Sequence, residues 1–383
     1  MNRMLLEAHA GIELRAGERV ELVVTDSSLA RALFGGVPAA RILGRARLAS
    51  DERDSVGTTH ATETASTWDT LLKRLGYGVI TLFCVSILVF AATQLLPGNA
   101  ASAALQNTAT PARLHALEVQ MGLNKSAVAQ YWSWLTGLFR GDLGKSIVSG
   151  TSVSSLVGGR IVNTLVLVVL AGVIGTLIGV ALGVWAAAKR DSVLDHVLSV
   201  TALAVTALPE FVVAMALVIL FAAVIWHFFP AVSVFPPGVA PWTDPKLLIL
   251  PVATLVIVIV PYTFRMMRAA MIDALESDYV EMARLKGLSP RRVLLFHALP
   301  NSIAPTIQVI GLNFLYLAGG VVVVEYVFNY PGLGQGLVNA VADRDIPVIQ
   351  FIVLALAAFY VLVNIATDMI SLAASPRRRL PRS

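Results

Sequence analysis

Residues 281–300 read EMARLKGLSPRRVLLFHALP, and the fold turns on where this stretch lies relative to a bilayer. It carries four basic side chains, Arg284, Lys286, Arg291 and Arg292, and a fifth if His297 is protonated. Apolar runs long enough to cross a membrane flank it on both sides. The chain as a whole is 56% hydrophobic and only 14% charged, with a mean hydropathy of +0.75. Soluble domains carry roughly 25% charge, so this composition is built for lipid. The net charge of +5 sits beside apolar runs, as membrane topology signals do, and does not point to nucleic acid.

A transmembrane helix needs about 20 mostly apolar residues. Six spans are expected, at about 76–96, 163–188, 196–229, 247–264, 302–324 and 351–374. The third run is too long for a single crossing, so it is either one tilted or broken helix or two spans meeting at ALPEF, 207–211. Its first half has too few residues before Pro209 to cross alone. Charge decides as well: with six spans and an inside N-terminus, 22 of the 29 basic residues fall inside and seven outside. Splitting the run would place Arg265 to Arg292 outside, against the positive-inside bias. Both termini and the opening stretch are therefore expected in the cytoplasm.

With that placement the opening stretch becomes a pair of short helices. SDYVEMARLK, 277–286, has Tyr279, Met282 and Ala283 at helical spacing. Gly287 follows where a left-handed residue ends a helix. Ser289 is a good N-cap and Pro290 a good first helical residue, with Leu288 and Arg291 on either side of that pair. The second helix is expected to run to Pro300, where the fifth span begins. Such a knob can pass a push from a cytosolic partner into the spans. An interfacial helix that only anchors the loop is the plainer reading of the pattern.

The spacing Glu281-Met282-Ala283, three residues, Gly287, nine residues, His297-Ala298-Leu299-Pro300 resembles the EAA loop of permease subunits of binding-protein-dependent ABC importers. Met282 and His297 depart from the motif; the glycine, the Leu-Pro and the spacing are kept. LLPGNA (95–100), FRGDLGKSI (139–147) and VVVVEYVFNYPGLGQGLVNAVADRDIPVIQ (321–350) extend the resemblance, over about residues 72–380, to the B-type permease of the dipeptide and oligopeptide subfamily. That resemblance implies an all-α membrane protein with six transmembrane helices of the type I permease fold, a coupling helix between spans four and five, and residence in the bacterial inner membrane. It implies partners too: a homologous second permease, two cytosolic ATP-binding subunits, an extracytoplasmic solute-binding protein and a peptide substrate. Similar permeases serve nickel, glutathione and some sugars. In that family the loop seats in the ATP-binding subunit, which gives Tyr279, Glu281, Met282, Ala283, Gly287, Leu288, Ser289, Pro290 and Arg291 a coupling role.

No catalytic constellation is visible, and no cofactor is expected. The chain lacks a G-x-x-x-x-G-K-[ST] loop, and GDLGKS, 141–146, has the wrong spacing for one. The histidines, at 9, 60, 115, 196, 227 and 297, are scattered, and the lone Cys84 rules out an intrachain disulfide. Glu210, beside Pro209 in the third run, either lines the path and meets a peptide ammonium or is a structural carboxyl between helices. Gln308 and Asn313 either face the path or bond across helices. Glu325, at the outer end of the fifth span, is expected to order the loop holding Pro331, Gly332 and Gly334. Asp368 is expected to face headgroups or Arg377. An ion-coupled secondary transporter is the competing class, and it predicts paired broken helices.

Outside the spans, residues 1–70 are polar and end in a linker-like stretch. They are expected to be a partly disordered cytoplasmic extension, with GIELRAGERVELVV as a candidate hairpin. Residues 71–376 are expected to be the six-span domain and 377–383 a basic tail.

Overall fold

The structure is a computed structural model; it describes residues 67–95, 124–224, 227–236 and 238–374. The chain divides into two units, Met1–Thr70 and Leu71–Ser383, and the helical bundle belongs to the second. The candidate hairpin at the N-terminus, the tail and Arg377 lie outside the described residues.

Helices account for nearly all of it. In chain order they are α1 (Thr67–Gln94), α2 (Ala127–Phe139), α3 (Val153–Ala188), α4 (Val193–Thr206) and α5 (Glu210–Val218). Then come α6 (Lys246–Leu275), α7 (Asp278–Leu285), α8 (Pro290–Val293), α9 (Leu299–Val327), α10 (Leu333–Ala342) and α11 (Ile346–Ala374). Five helical segments are long and apolar enough to cross a membrane, and a sixth span forms if the bent pair α4 and α5 counts as one. Among the described residues the only β feature is an isolated bridge between Lys145 and Ser152.

The core is α3, α5, α6 and α9. Leu167, Leu255, Ile259, Leu317 and Val321 are completely or almost completely buried in one cluster. α6 lies along α3 because α3 presents glycines one turn apart. A Cβ on Gly179 would stand 2.7 Å from Cβ of Thr263, and one on Gly183 would meet Cβ of Met267 at 2.7 Å and the Phe264 carbonyl at 2.9 Å. Small residues at such spacing let two helix backbones approach closely, which drives association where lipid removes the hydrophobic effect. Gly183→Leu must therefore push the backbones apart. We expect a loss of about 1–3 kcal/mol, the usual cost of overpacking, read as a lower unfolding temperature of the detergent-solubilised protein.

Prolines inside the spans leave carbonyls without their helical partners. Pro251 orphans the carbonyl of Leu247, and the Ser233 hydroxyl donates to it at 2.6 Å. α1 and α11 pack together at the periphery. Gln350 donates to Thr93 Oγ1 at 2.8 Å, and Arg74 pairs with Asp368 at 3.0 Å. Asp368 thus has a partner on α1, which the sequence reading, with headgroups and Arg377 in view, did not name.

The span boundaries shift in instructive ways. α3 starts at Val153 rather than about 163, and α6 continues to Leu275 rather than stopping at about 264. In both extensions buried apolar side chains hold the added turns, Val153 and Val157 in α3 and Met267 and Met271 in α6, while Ser154, Ser155, Arg265 and Asp273 stay exposed. The third run is not one tilted helix through residue 229. α4 and α5 meet at 105° across Ala207–Pro209, and α5 ends in a π-turn at Ile219–Ala223. Pro209 cannot donate to the ladder, which permits the break.

Candidate functional site: a two-helix knob, a clamped loop and a polar seam

The opening stretch folds at one end of the bundle. α7 begins at Ser277, whose backbone is extended, and closes at Gly287 with φ +78°. The Gly287 N–H donates to the Arg284 carbonyl at 2.9 Å and the Leu288 N–H to the Ala283 carbonyl at 3.3 Å. Those two bonds are the paired closure of a Schellman motif, which requires a left-handed residue at this position. Val280 and Ala283 point inward and pack with Ala187 of α3, Met267, Met271 and Ala274 of α6, and Val293 and Ala298. The outward face carries Tyr279, Met282 and Leu285, exposed by 43%, 54% and 75%. The stripe expected from periodicity is therefore divided: Ala283 anchors α7, while Tyr279 and Met282 face away beside the exposed Glu281.

The second half of the knob departs from expectation. Ser289 occupies the N-cap position with extended backbone, but its side chain makes no capping bond. Pro290 starts α8, with Arg291 exposed, and after one turn the chain becomes a π-turn, Leu294–Ala298, that runs straight into α9. Helical structure is thus almost continuous from Pro290 to Val327. Pro300 does not mark a break, because it sits in the first turn of α9, where its missing N–H is tolerated.

At the opposite end of the bundle the candidate loop residues converge on Glu325, which is fully buried. Its Oε2 accepts from the backbone N–H groups of Gly334 (2.7 Å) and Gln335 (3.2 Å), and its Oε1 accepts from Thr164 (2.6 Å). Thr164 Oγ1 in turn accepts from the Leu333 N–H at 2.8 Å. The first three N–H groups of α10, which no helical carbonyl can satisfy, are met by side chains from α9 and α3. Gly332 and Gly334 lie where a Cβ would collide with Glu325 and with Val322 respectively. Asn163 donates to the Pro331 carbonyl at 2.8 Å, and Arg160 donates to the Gly332 carbonyl at 3.1 Å and to Gln335 Oε1 at 2.9 Å. Nothing in the sequence flagged Arg160, Asn163 or Thr164, which lie more than 160 residues from the groups they hold. Nearby, Asp345 accepts from the Ser146 hydroxyl and from the Ile147 N–H at 3.1 Å, which fixes the loop before α3.

Between the two ends, the candidate path residues separate. Asn313 is buried in the α6–α9 seam, where its Nδ2 donates to Thr263 Oγ1 at 2.7 Å. It bonds across helices, and Gln308 is left as the exposed amide of α9. Pro209 is exposed at the break. Glu210, half-buried, opens α5 and accepts from the Tyr316 hydroxyl at 2.6 Å.

The sequence pattern of binding-protein-dependent transport system inner membrane components matches residues 179–380, and its N-terminal counterpart matches residues 68–170. The chain belongs to this family. It is accordingly a multi-pass inner-membrane permease component of an ABC importer, with the type I permease fold. Among its relatives is one of Sinorhizobium fredii named "Probable peptide ABC transporter permease protein", 34% identical over 81% of this chain and 98% of its own. A Brucella abortus protein described as a peptide transport system permease is 36% identical over the same shares. The glutathione transport system permease protein of Pectobacterium atrosepticum is 35% identical over 80% of this chain and 98% of its own. Family membership removes the ion-coupled alternative. All three relatives align over nearly their whole length but over only about four-fifths of this chain.

Proposed function

We propose that this permease forms half of the membrane path of an ATP-driven peptide importer and receives its driving force through α7. The observation that carries this is the two-sided character of α7. One face is locked by Val280 and Ala283 onto α3 and α6, and the other offers Tyr279, Met282 and Leu285 to solvent. An exposed apolar strip on a short helix calls for a protein partner. A partner seated there moves α3 and α6 as one body, because their glycine-packed seam leaves no slack.

In this reading α7 faces the cytoplasm and seats in an ATP-binding subunit, so the chain itself hydrolyses nothing. A homologous second permease completes the path, two ATP-binding subunits drive it, and a solute-binding protein delivers the substrate to the α10 end. Glu325 orders the loop there and does not touch cargo. The peptide relatives make di- or oligopeptides the substrate class, and the glutathione relatives favour a second reading in which the cargo is that tripeptide.

The test is uptake into proteoliposomes holding the whole transporter and its binding protein. ATP-dependent accumulation of labelled di- to pentapeptides in preference to glutathione is expected. Accumulation of glutathione alone favours the second reading, and accumulation of neither overturns both.

A further inference from the structure

Resting on the reading of this chain as half of a peptide path, we propose that Glu210, Tyr316, Tyr262 and Arg265 form one strip. It receives both charged ends of a short, unblocked peptide in transit. The strip is a series of consecutive contacts across three helices. Glu210 is the first residue of α5, placed by the Pro209 break so that its carboxylate lies over α9. Tyr316 donates to its Oε1 at 2.6 Å, and Gly320, one turn further along α9, makes room for it: a Cβ there would stand 2.9 Å from the same oxygen. The Tyr316 ring lies 6.1 Å from the Tyr262 ring on α6. Arg265, one turn along α6, stacks its guanidinium 5.5 Å from the centre of the Tyr262 ring. Glu210 and Tyr262 are half-buried, while Tyr316 and Arg265 are exposed.

The position makes these exposures informative. All four residues belong to helices of the membrane-crossing set. A carboxylate such as Glu210 in such a helix is costly against lipid and is found facing a water-filled cavity or a partner, while Arg265 stands one residue past the apolar run of α6, at the inner end of the same surface. Among the described residues neither is paired with an opposite charge; each is held only by a tyrosine. Opposite charges held apart on one surface complement a zwitterion. The carboxylate meets an ammonium, and the guanidinium offers a fork of N–H groups that matches a terminal carboxylate. Between them the two rings present apolar faces with polar tips, which suit side chains of many kinds. The links of 2.6, 6.1 and 5.5 Å set a separation that a few residues can bridge, at about 3.3–3.6 Å each when extended. Partial exposure keeps the hold weak, as a transit site needs.

The experiment uses the complete transporter in proteoliposomes with trialanine, its N-acetyl form and its C-terminal amide. Glu210→Gln is expected to lower trialanine uptake by about tenfold and N-acetyl trialanine uptake by less than about twofold, and Arg265→Gln to do the same with the amide as the spared substrate. Unchanged ATP hydrolysis without peptide shows that the variants assemble. Equal losses for all three peptides, the outcome expected of a contact with the second permease, overturn the proposal, as does no loss. If the wild type carries none of the three, the peptide reading falls and the strip with it; if it carries them and the variants are indifferent, only the strip falls. Photoreactive trialanines decide the case where a variant fails to assemble or a blocked peptide is refused. In the wild type, a label at the amino end should attach to α5 or α9 and one at the carboxyl end to α6; the reverse pattern, or attachment elsewhere, contradicts the strip.

Discussion

Gly287→Val is expected to abolish ATP-driven uptake while leaving the spans folded, and Gly287→Asn to retain most of it. The residue sits at φ +78°, and nothing lies within 4 Å of where its Cβ would be. A substitution there clashes with no neighbour; its whole effect is on the backbone. A left-handed conformation costs an L-residue roughly 1–2 kcal/mol, more for a β-branched one, whereas asparagine visits it readily. The chain relieves that strain by opening the two bonds that close α7, from Gly287 to Arg284 and from Leu288 to Ala283. The outward face of α7 then loses its fixed relation to Val280 and Ala283, the residues that anchor it to α3 and α6. A cost of about 2 kcal/mol depopulates the seated conformation more than tenfold. Uptake and ATP hydrolysis measured on the same proteoliposomes check it: valine must separate the two, and asparagine must not.

The largest stability effect is expected from Glu325→Ala. The carboxylate is fully buried and takes three hydrogen bonds, so its removal leaves Thr164 and the first turn of α10 with unsatisfied donors. Each buried donor left without its acceptor costs about 1–3 kcal/mol. Glu325→Gln should fall between alanine and wild type, because an amide can accept but also points an N–H at groups that are already donors. Thermal unfolding in detergent, with the three proteins side by side, measures the order. An alanine variant as stable as wild type would show that α10 needs no cap from α9.

The spans were legible because a bilayer leaves the backbone no alternative to helix, so apolar length alone marks them. The break at Pro209 was legible as an awkward length, but not its 105° bend. Proline only releases the ladder. The direction goes with what α5 meets in the fold, Ala214 in the core and Glu210 against Tyr316 on α9, a contact 106 residues away that no local pattern encodes. Periodicity found an apolar face on Tyr279, Met282 and Ala283 but could not say which part was core. A face awaiting a partner and a face in a core have the same sequence period, and only packing against α3 and α6 separates Ala283 from its neighbours. Gly287 was legible from its place after a lysine-ended helix, since few residues other than glycine serve there. Pro300 misled, because a proline in the first turn of a helix is indistinguishable in sequence from one that ends a segment. Glu325 could be assigned to its loop from proximity in the chain, whereas Thr164 and Arg160 reach it only through the fold.

The most direct test of the account places a photocrosslinking amino acid at Met282, with the purified transporter illuminated in the absence of nucleotide. Val280, two residues away and buried, is the matched control. The account predicts a covalent adduct between residue 282 and an ATP-binding subunit, and none from residue 280. No adduct from residue 282, or adducts only with the second permease or with lipid, would contradict the claim that α7 is where this protein receives its force.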